Sequence, residues 1–329
     1  MTNNMKEQNN IEVLTYDEAI ALAKKEVDRI LTKSPLIIRE YLTHLSLSQG
    51  KYIRAVSAII CAGDDNDQVH PSAVNIAAAI EIIHLASLVH DDVIDNADLR
   101  RGKPTLQKKF GRRTAVICGD YLLSIALRMI SDISNRNEYV DFAMPNFIGK
   151  LCLGELNQHI NNHNLNLSIF QYLKIISGKT AALFEASFYA GAIIATSDER
   201  EAKSYRKLGH YIGMIFQLSD DCIDFDTTVE EANKPVQSDY EQGVITLPLI
   251  HALQVSTSFK EKAVNHGVTR DDINEAVTKT EGLKFTKLLI NKYYNKAIKA
   301  LNEIEPSKEK NERLIMILNK AARTNPIKK

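Results

Sequence analysis

The chain has 329 residues, with 41 Lys and Arg against 41 Asp and Glu, so its formal net charge at pH 7 is zero. Because the charges balance, the chain lacks the excess of basic residues that is typical of a nucleic-acid-binding protein. The four cysteines lie far apart, without CxxC or Cys/His spacing, which argues against a zinc site and a disulfide framework. The segment 1–10 is polar and lacks the apolar core that a signal peptide requires. We therefore expect a cytoplasmic protein.

Helical periodicity runs along almost the whole chain. Thr15 caps the first helix and Pro35 starts the second. Pro71 precedes the long apolar helix that contains the run 73–89. No alternating strand pattern appears. The sequence predicts one all-α domain over residues 1–329, with residues 1–10 flexible and a bundle of long helices around a central cavity. Further helices are predicted over 51–62, 113–133, 247–253, 270–278, 284–304 and 309–321, with three long ones between Pro145 and Pro235.

The apolar run 73–89 ends in three carboxylates, Asp91, Asp92 and Asp95. In a helix, Asp91 and Asp95 share one face, Asp92 is turned away by about 100°, and His84 lies two turns earlier on the face of Asp91. Such oxygen ligands suit Mg²⁺. A single DDxxD is also common on a solvated helix face. Polar residues within the run, including His84, argue against a stable membrane span.

A second apolar helical stretch ends in the same pattern, at Asp220, Asp221 and Asp224. Two such endings in one chain predict two facing carboxylate clusters that hold Mg²⁺ around a polyanion, most simply a diphosphate. Basic residues in loops and at helix starts can bind the same substrate or form plain ion pairs. These residues are Lys51, Arg54, Arg100, Arg101, Lys179 and Lys234.

Together these motifs resemble the trans-type polyprenyl diphosphate synthases, and most closely the catalytic component of bacterial heptaprenyl and hexaprenyl synthases. The resemblance runs from about Gly50 to the C-terminal helices. In the first basic loop the family's usual GGKRLRP is replaced by QGKYIRA, and Asn233 stands where Gly is usual. The matching segments are GKYIR (50–54), EIIHLASLVHDDVIDNADLRRGKPT (81–105), GDYLL (119–123), GKT (178–180), FQLSDDCID (216–224) and NKPVQSDYEQGVITLPL (233–249).

The resemblance implies a role for each matched residue. Isopentenyl diphosphate would bind to Lys51, Arg54, His84 and Arg101. His84 can instead be a satisfied core histidine, and Thr180 and Gln217 can be helix-packing residues. The allylic prenyl diphosphate would bind to Arg100, Lys179, Thr180, Gln217 and Lys234, and both sets of three aspartates would bind Mg²⁺, with about three ions in all.

The implied reaction is ionisation of the allylic diphosphate, assisted by Mg²⁺ and Lys179, followed by attack of the isopentenyl double bond. Repetition gives a medium- or long-chain all-trans product, the precursor of a quinone side chain. The family also implies a homodimer, with a small regulatory subunit as a further partner.

Product length is expected to depend on the helix face before Asp91. Ala86 and Ser87 are small, and Ile83 lies one turn further back. One helix turn rises about 5.4 Å, roughly one isoprene unit, so this open face suits a medium-to-long product, and the family resemblance implies a length of roughly six or seven units. Close helix packing is the alternative reason for small residues there.

Other readings remain open at this point. A short-chain (C15 or C20) prenyl diphosphate synthase is one alternative. His90-Asp91 is an HD pair, as in metal phosphohydrolases, but no further His cluster accompanies it. Glu81-x-x-His84 is half of a di-iron motif. A type I terpene cyclase does not explain the second DDxxD, and a regulatory subunit of this fold would not need both.

Overall fold

A computed structural model describes residues 13–47, 50–64, 66–132, 144–196, 198–226 and 238–323. Segment 1–10 and Lys234 lie outside these ranges, so the predictions made for them stay predictions. Within the described residues the chain forms two compact units. The first covers 13–93, 97–132 and 190–196, and the second covers 94–96, 144–189 and 198–323. The prediction of a single domain also stays a prediction.

The first unit is helical, as the periodicity predicted. Thr15 and Glu18 form a reciprocal capping box that starts the first helix. Two short antiparallel pairs, β1 with β2 and β3 with β4, correct the expectation of no strands. The elements are β1 (Leu14–Thr15), α1 (Tyr16–Lys33), α2 (Leu36–Ser46), α3 (Ile53–Ala62), β2 (Gln68–Val69), α4 (Ser72–Ile94), β3 (Leu99–Arg100), β4 (Lys103–Pro104), α5 (Leu106–Phe110) and α6 (Arg112–Ser131).

The second unit contains the three long helices expected between Pro145 and Pro235. Pro145 lies in the first turn of its helix, where a missing N–H costs nothing. A π-helical segment, Ser177–Ala181, joins two α-helices. The α-helices are α7 (Met144–Ile160), α8 (Ile169–Ile176), α9 (Ala182–Ala195, of which residues 190–195 belong to the first unit), α10 (Glu199–Asp226), α11 (Ser238–Glu241), α12 (Leu247–Val255), α13 (Thr257–Asn265), α14 (Arg270–Lys279), α15 (Gly282–Ile304) and α16 (Lys308–Ala322).

Among the described residues, two helices, α4 and α6, are long and apolar enough to cross a membrane by length and composition. The core helix of a water-soluble fold passes the same test, and 61% of the most apolar window of α4 is buried inside the protein. For α6 the buried share is 33%. Two such helices are weak evidence of a membrane span.

Two local predictions were wrong. The helix expected from Lys51 begins at Ile53, because Tyr52 takes the left-handed conformation (φ 54°) and leaves Lys51 outside the helix. The helix Thr257–Asn265 was missed, because its sequence is polar and has weak periodicity; Ser256 caps it by accepting a hydrogen bond from the amide of Phe259.

Candidate active site

The first carboxylate cluster lies at the end of α4. Asp91 and Asp92 are in the last turn, whereas α4 ends at Ile94 and Asp95 occupies the turn that follows. The expectation that Asp95 continues the helix face of Asp91 is therefore corrected. Asn96 adopts φ 53°, which reverses the chain, and the carbonyl of Asp92 accepts a hydrogen bond from the amide of Ala97 at 2.9 Å.

This reversal returns the basic loop to α4. The β3–β4 pair carries Arg100, whose Nε donates to Oδ1 of Asp92 at 2.8 Å. Asp92 is only 5% exposed, so the guanidinium supplies the partner that a buried carboxylate requires. Asp91 is half-buried and Asp95 is exposed. Within this cluster, Asp91 and Asp95 are the more accessible carboxylates.

The basic residues expected at the isopentenyl diphosphate site gather in the same unit. Nη1 of Arg54, on α3, lies 3.1 Å from Nε2 of His84, on α4. The guanidinium of Arg101 lies against the start of the GKYIR loop, since a Cβ added to Gly50 would be 3.1 Å from its Nη2. Lys51, in the same loop, is exposed. Arg54 and His84 are thus in contact, and Arg101 lies against the start of the GKYIR loop. Their role in binding isopentenyl diphosphate stays a prediction.

Burial and the surrounding charge alter the pKa values of this group. Burial lowers the pKa of Arg54 to about 10, and Glu81 partly opposes that change. Burial, followed by repulsion from Arg54, Arg100 and Arg101, lowers the pKa of His84 well below its usual value. Burial raises the pKa of Glu81, against the attraction of Arg54. His84 is therefore a neutral imidazole at pH 7, so its Nε2 can accept the hydrogen bond from Arg54.

The second carboxylate cluster occupies the C-terminal part of α10, and its three aspartates differ in environment. Asp221 is 2% exposed, Asp224 is half-buried, and the Asp220 side chain is 45% exposed. Oδ1 of Asp220 lies 2.5 Å from Nη2 of Arg323, the residue that caps α16. A cation of the protein itself thus stands beside Asp220.

Asp221 is held by neutral donors. The hydroxyl of Tyr172 donates to its Oδ2, and Nε2 of Gln217 donates to its Oδ1 at 2.8 Å. The Oε1 of Gln217 in turn accepts a hydrogen bond from Oγ1 of Thr180 at 2.7 Å. Thr180 and Gln217, for which helix packing was the alternative role, are linked by this network to the carboxylate cluster.

Lys179 and Thr180 lie in the π-helical segment, a type of insertion that is frequent at functional sites. The segment packs closely on α7, because a Cβ on Gly154 would lie 2.2 Å from the amide nitrogen of Lys179. This approach brings Glu155 to Lys179, with Oε2 and Nζ 2.9 Å apart. Sequence reasoning missed Glu155, although it neighbours the glycine that allows the contact.

The residues assigned to chain length lie on α4 as the periodicity predicted. Ile83 and Ala86 are buried, at 3% and 2% exposure, and Ser87 is half-buried. The hydroxyl of Ser87 donates to the carbonyl of His84 at 2.8 Å, so it is satisfied within its own helix. Their proposed role in product length stays a prediction.

Among the described residues, no three His, Cys, Asp or Glu side chains converge on a metal position, either at the rival sites or within the two aspartate clusters. The contacts of the rival motifs are therefore the more informative observation. His90, the histidine of the HD pair, lies 3.3 Å from both the carbonyl of Val116 and Oδ1 of Asp120 on α6. Glu81 and His84, the half-motif of a di-iron site, lie beside Arg54 instead.

Comparison with known proteins extends these observations. The polyprenyl synthetase family model matches residues 35–281. Component 2 of heptaprenyl diphosphate synthase from Bacillus subtilis (strain 168) is 34% identical over 292 residues, which cover 88% of this chain and 83% of that protein. The crystal structure of heptaprenyl diphosphate synthase from Staphylococcus aureus superposes with a TM-score of 0.85 at 30% identity, covering 95% of this chain and 99% of that one.

A further crystal structure, of polyprenyl synthase from Caulobacter crescentus CB15 complexed with calcium and isoprenyl diphosphate, has a TM-score of 0.79 at 31% identity and covers 94% of this chain and 97% of that one. The all-α isoprenoid synthase fold and the prenyltransferase class predicted from the sequence are confirmed. The chain belongs to the polyprenyl synthetase family.

Proposed function

We propose that the chain extends an allylic prenyl diphosphate with successive isopentenyl diphosphate units and releases a medium- or long-chain all-trans polyprenyl diphosphate. The observation that carries this proposal is the ion pair between Arg100 and Asp92. Arg100 also acts electrostatically on His84, which places this ion pair near the basic group of Arg54, His84 and Arg101. Carboxylates and cations side by side suit a diphosphate that is bound partly through a metal ion and partly by the protein.

The residues present fit Mg²⁺. Asp91, Asp95 and Asp220 have accessible carboxylate oxygens, and the guanidinium beside Asp220 supports the proposal that a cation can bind at this position. Mg²⁺ characteristically takes one or two carboxylates and completes its shell with water and substrate phosphates. We assign direct binding to these three aspartates and Asp224, and a supporting role to Asp92 and Asp221, with about three ions in the loaded enzyme.

The chain's own residues account for the rest of the chemistry. Mg²⁺, when bound, would neutralise the diphosphate that departs from the allylic carbon. Lys179 and Thr180 would bind oxygens of this departing diphosphate, and Glu155 would hold Lys179 in position. Lys51, Arg54, Arg101 and the neutral His84 would hold isopentenyl diphosphate. The proton lost after attack of the double bond would pass to the released diphosphate.

Product length and biological role follow from the relatives. The Bacillus subtilis and Staphylococcus aureus proteins are both named for heptaprenyl diphosphate. We propose a product of this medium-to-long class, used as a quinone side-chain precursor. Small buried Ala86 and half-buried Ser87 support a path that a longer chain can follow. The alternative is a short-chain (C15 or C20) synthase.

We propose that the chain forms a homodimer and also binds a small regulatory subunit. On α7, the exposed side chains of Leu153, Leu156 and Ile160 form a stripe at helical spacing, the kind of surface that a second subunit covers. The Bacillus subtilis relative is named a second component, which supports a further partner.

We also propose a cytoplasmic location, since none of the four cysteines forms a disulfide.

The decisive experiment incubates the purified chain with farnesyl diphosphate, labelled isopentenyl diphosphate and Mg²⁺, with and without candidate small subunits, and separates the products by length. Asp91→Ala and Asp220→Ala should each reduce product formation at least about a hundredfold with an intact helical fold. Asp17→Ala, an exposed aspartate in the first turn of α1, is the matched control. Near-normal product from Asp91→Ala would refute the assignment of the first cluster.

A further inference from the structure

Tyr172 is an unexpected member of the second carboxylate cluster. It lies on α8 and is 3% exposed, and its hydroxyl donates to Oδ2 of Asp221, 49 residues away in sequence. The position of α8 is set locally, since Ser168 and Gln171 form a capping box at its start. The phenol ring therefore reaches α10 from a well-defined helix.

The environment of Asp221 explains why such a donor is needed. Asp221 is a buried carboxylate between two other aspartates of the cluster, Asp220 and Asp224. Burial and neighbouring negative charge both disfavour an additional carboxylate unless its oxygens are satisfied. Tyr172 satisfies Oδ2, and Gln217 satisfies Oδ1 at 2.8 Å. Both of these donors are neutral groups, a phenol hydroxyl and a side-chain amide.

The same contacts connect the π-helical segment to the cluster. Thr180 donates to Gln217, and Gln217 donates to Asp221, so one hydrogen-bonded path runs from the expected substrate-binding segment to α10. Tyr172 donates to the other oxygen of the same carboxylate, Oδ2 of Asp221. Networks of this kind fix the orientation of metal-binding side chains, and loss of one member typically costs ten- to a hundredfold in metal affinity.

We propose that Tyr172 is a positioning residue of the second carboxylate cluster, holding Asp221 so that its neighbours on α10 are oriented to bind Mg²⁺ with diphosphate. This inference rests on the proposed function. In this proposal Tyr172 acts on the metal site through its hydrogen bond to Asp221. Its hydroxyl, and not the packing of its ring, carries the role.

The test uses Tyr172→Phe, which keeps the ring and removes the donor. Mg²⁺ is titrated in the presence of pyrophosphate, and the rise in Tm is followed. For Tyr172→Phe, we expect the Mg²⁺ concentration at half of this rise to increase about tenfold, whereas the Tm of the ligand-free protein should change little. The KM for isopentenyl diphosphate should stay unchanged. Tyr294→Phe is the matched control, since it also removes one tyrosine hydrogen bond, to Asn319 at 2.8 Å on α16.

A double-mutant cycle separates this role from a purely structural one. If Tyr172 acts through Asp221, the combination of Tyr172→Phe with Asp221→Asn should raise the Mg²⁺ requirement no further than Asp221→Asn alone. Additive effects, or an unchanged Mg²⁺ requirement in a folded Tyr172→Phe, would overturn the inference. Failure of the wild-type protein to bind Mg²⁺ with pyrophosphate would instead overturn the proposed function, and the inference with it.

Discussion

Nη1 of Arg54 lies 3.1 Å from Nε2 of His84, in the interior of the first unit. Two cations at this distance would repel each other in a buried environment, so the contact requires a neutral imidazole. Arg100 and Arg101 add to the same repulsion, and Glu81 is the acidic group that acts on Arg54. The pair therefore makes the stability of the protein depend on pH.

The first prediction concerns this pH dependence. The pKa of His84 is well below its usual value in the folded protein, and about 6.5 when unfolded. Above the unfolded value both states are neutral and stability is fully present. As pH falls below it, the unfolded state binds a proton that the folded state does not, so the free energy of unfolding decreases.

Between about pH 7.5 and 5.5, wild type should lose about 1.4 kcal/mol more unfolding free energy than His84→Gln, measured by urea denaturation at each pH. His266→Gln, at an exposed histidine, serves as control and should follow wild type. Equal losses in wild type and His84→Gln would contradict a neutral His84 in the folded protein.

The second prediction concerns substrate assignment. Lys51 is exposed in the loop that leads to Arg54, and it is proposed to bind isopentenyl diphosphate. Lys51→Ala should raise the KM for isopentenyl diphosphate about tenfold or more, because a charge-assisted contact is lost, and should change the KM of the allylic substrate much less. Steady-state kinetics with each substrate varied measures both. Lys33→Ala, at an exposed lysine of α1, is the control; an equal rise in both KM values would argue against a dedicated site.

The third prediction concerns product length. Ser87→Phe adds a ring to the α4 face one turn before Asp91 and should shorten the main product to roughly three or four isoprene units. Turnover of the first condensation should persist, since no proposed metal ligand changes. Chromatography of the dephosphorylated products measures their length.

Ser87→Ala is the control for this change, because it removes only the hydroxyl that binds the carbonyl of His84. It should leave product length unchanged. If Ser87→Phe makes the wild-type product at a comparable rate, this face does not contact the growing chain.

The fourth prediction concerns Arg323, whose guanidinium lies 2.5 Å from the Asp220 carboxylate. If Asp220 binds Mg²⁺ as proposed, an arginine at this carboxylate competes with the metal ion. Both side chains are more than 40% exposed, so the pair is worth about 1 kcal/mol or less. Arg323→Ala should therefore lower the Mg²⁺ concentration for half-maximal activity by up to about fivefold.

The activity of Arg323→Ala is measured as a function of Mg²⁺ concentration at saturating substrates. Lys320→Ala, at an exposed lysine on the same helix, should behave as wild type. A higher Mg²⁺ requirement in Arg323→Ala would show that Arg323 supports the site and does not compete for it.

The sequence by itself determined the helical fold, the two carboxylate clusters and the family. Each of these depends on local patterns. Apolar residues without Gly or Pro made α4 recognisable as a buried helix, and the Thr15–Glu18 pair marked the start of α1. The repeated DDxxD and the GKYIR and GKT segments are likewise contiguous, so spacing along the chain was enough to find them.

Only the tertiary structure decided which aspartates are accessible and what holds them. Asp221 is bound by Tyr172 from 49 residues away, Lys179 by Glu155 from 24, and Asp220 by Arg323 from 103. Periodicity reports which face of a helix is buried, and carries no information on which distant side chain meets it. Such contacts depend on how closely two helices approach each other, as at Gly154 against the π-helical segment. They also depend on where a helix ends, as α4 does at Ile94, before Asp95.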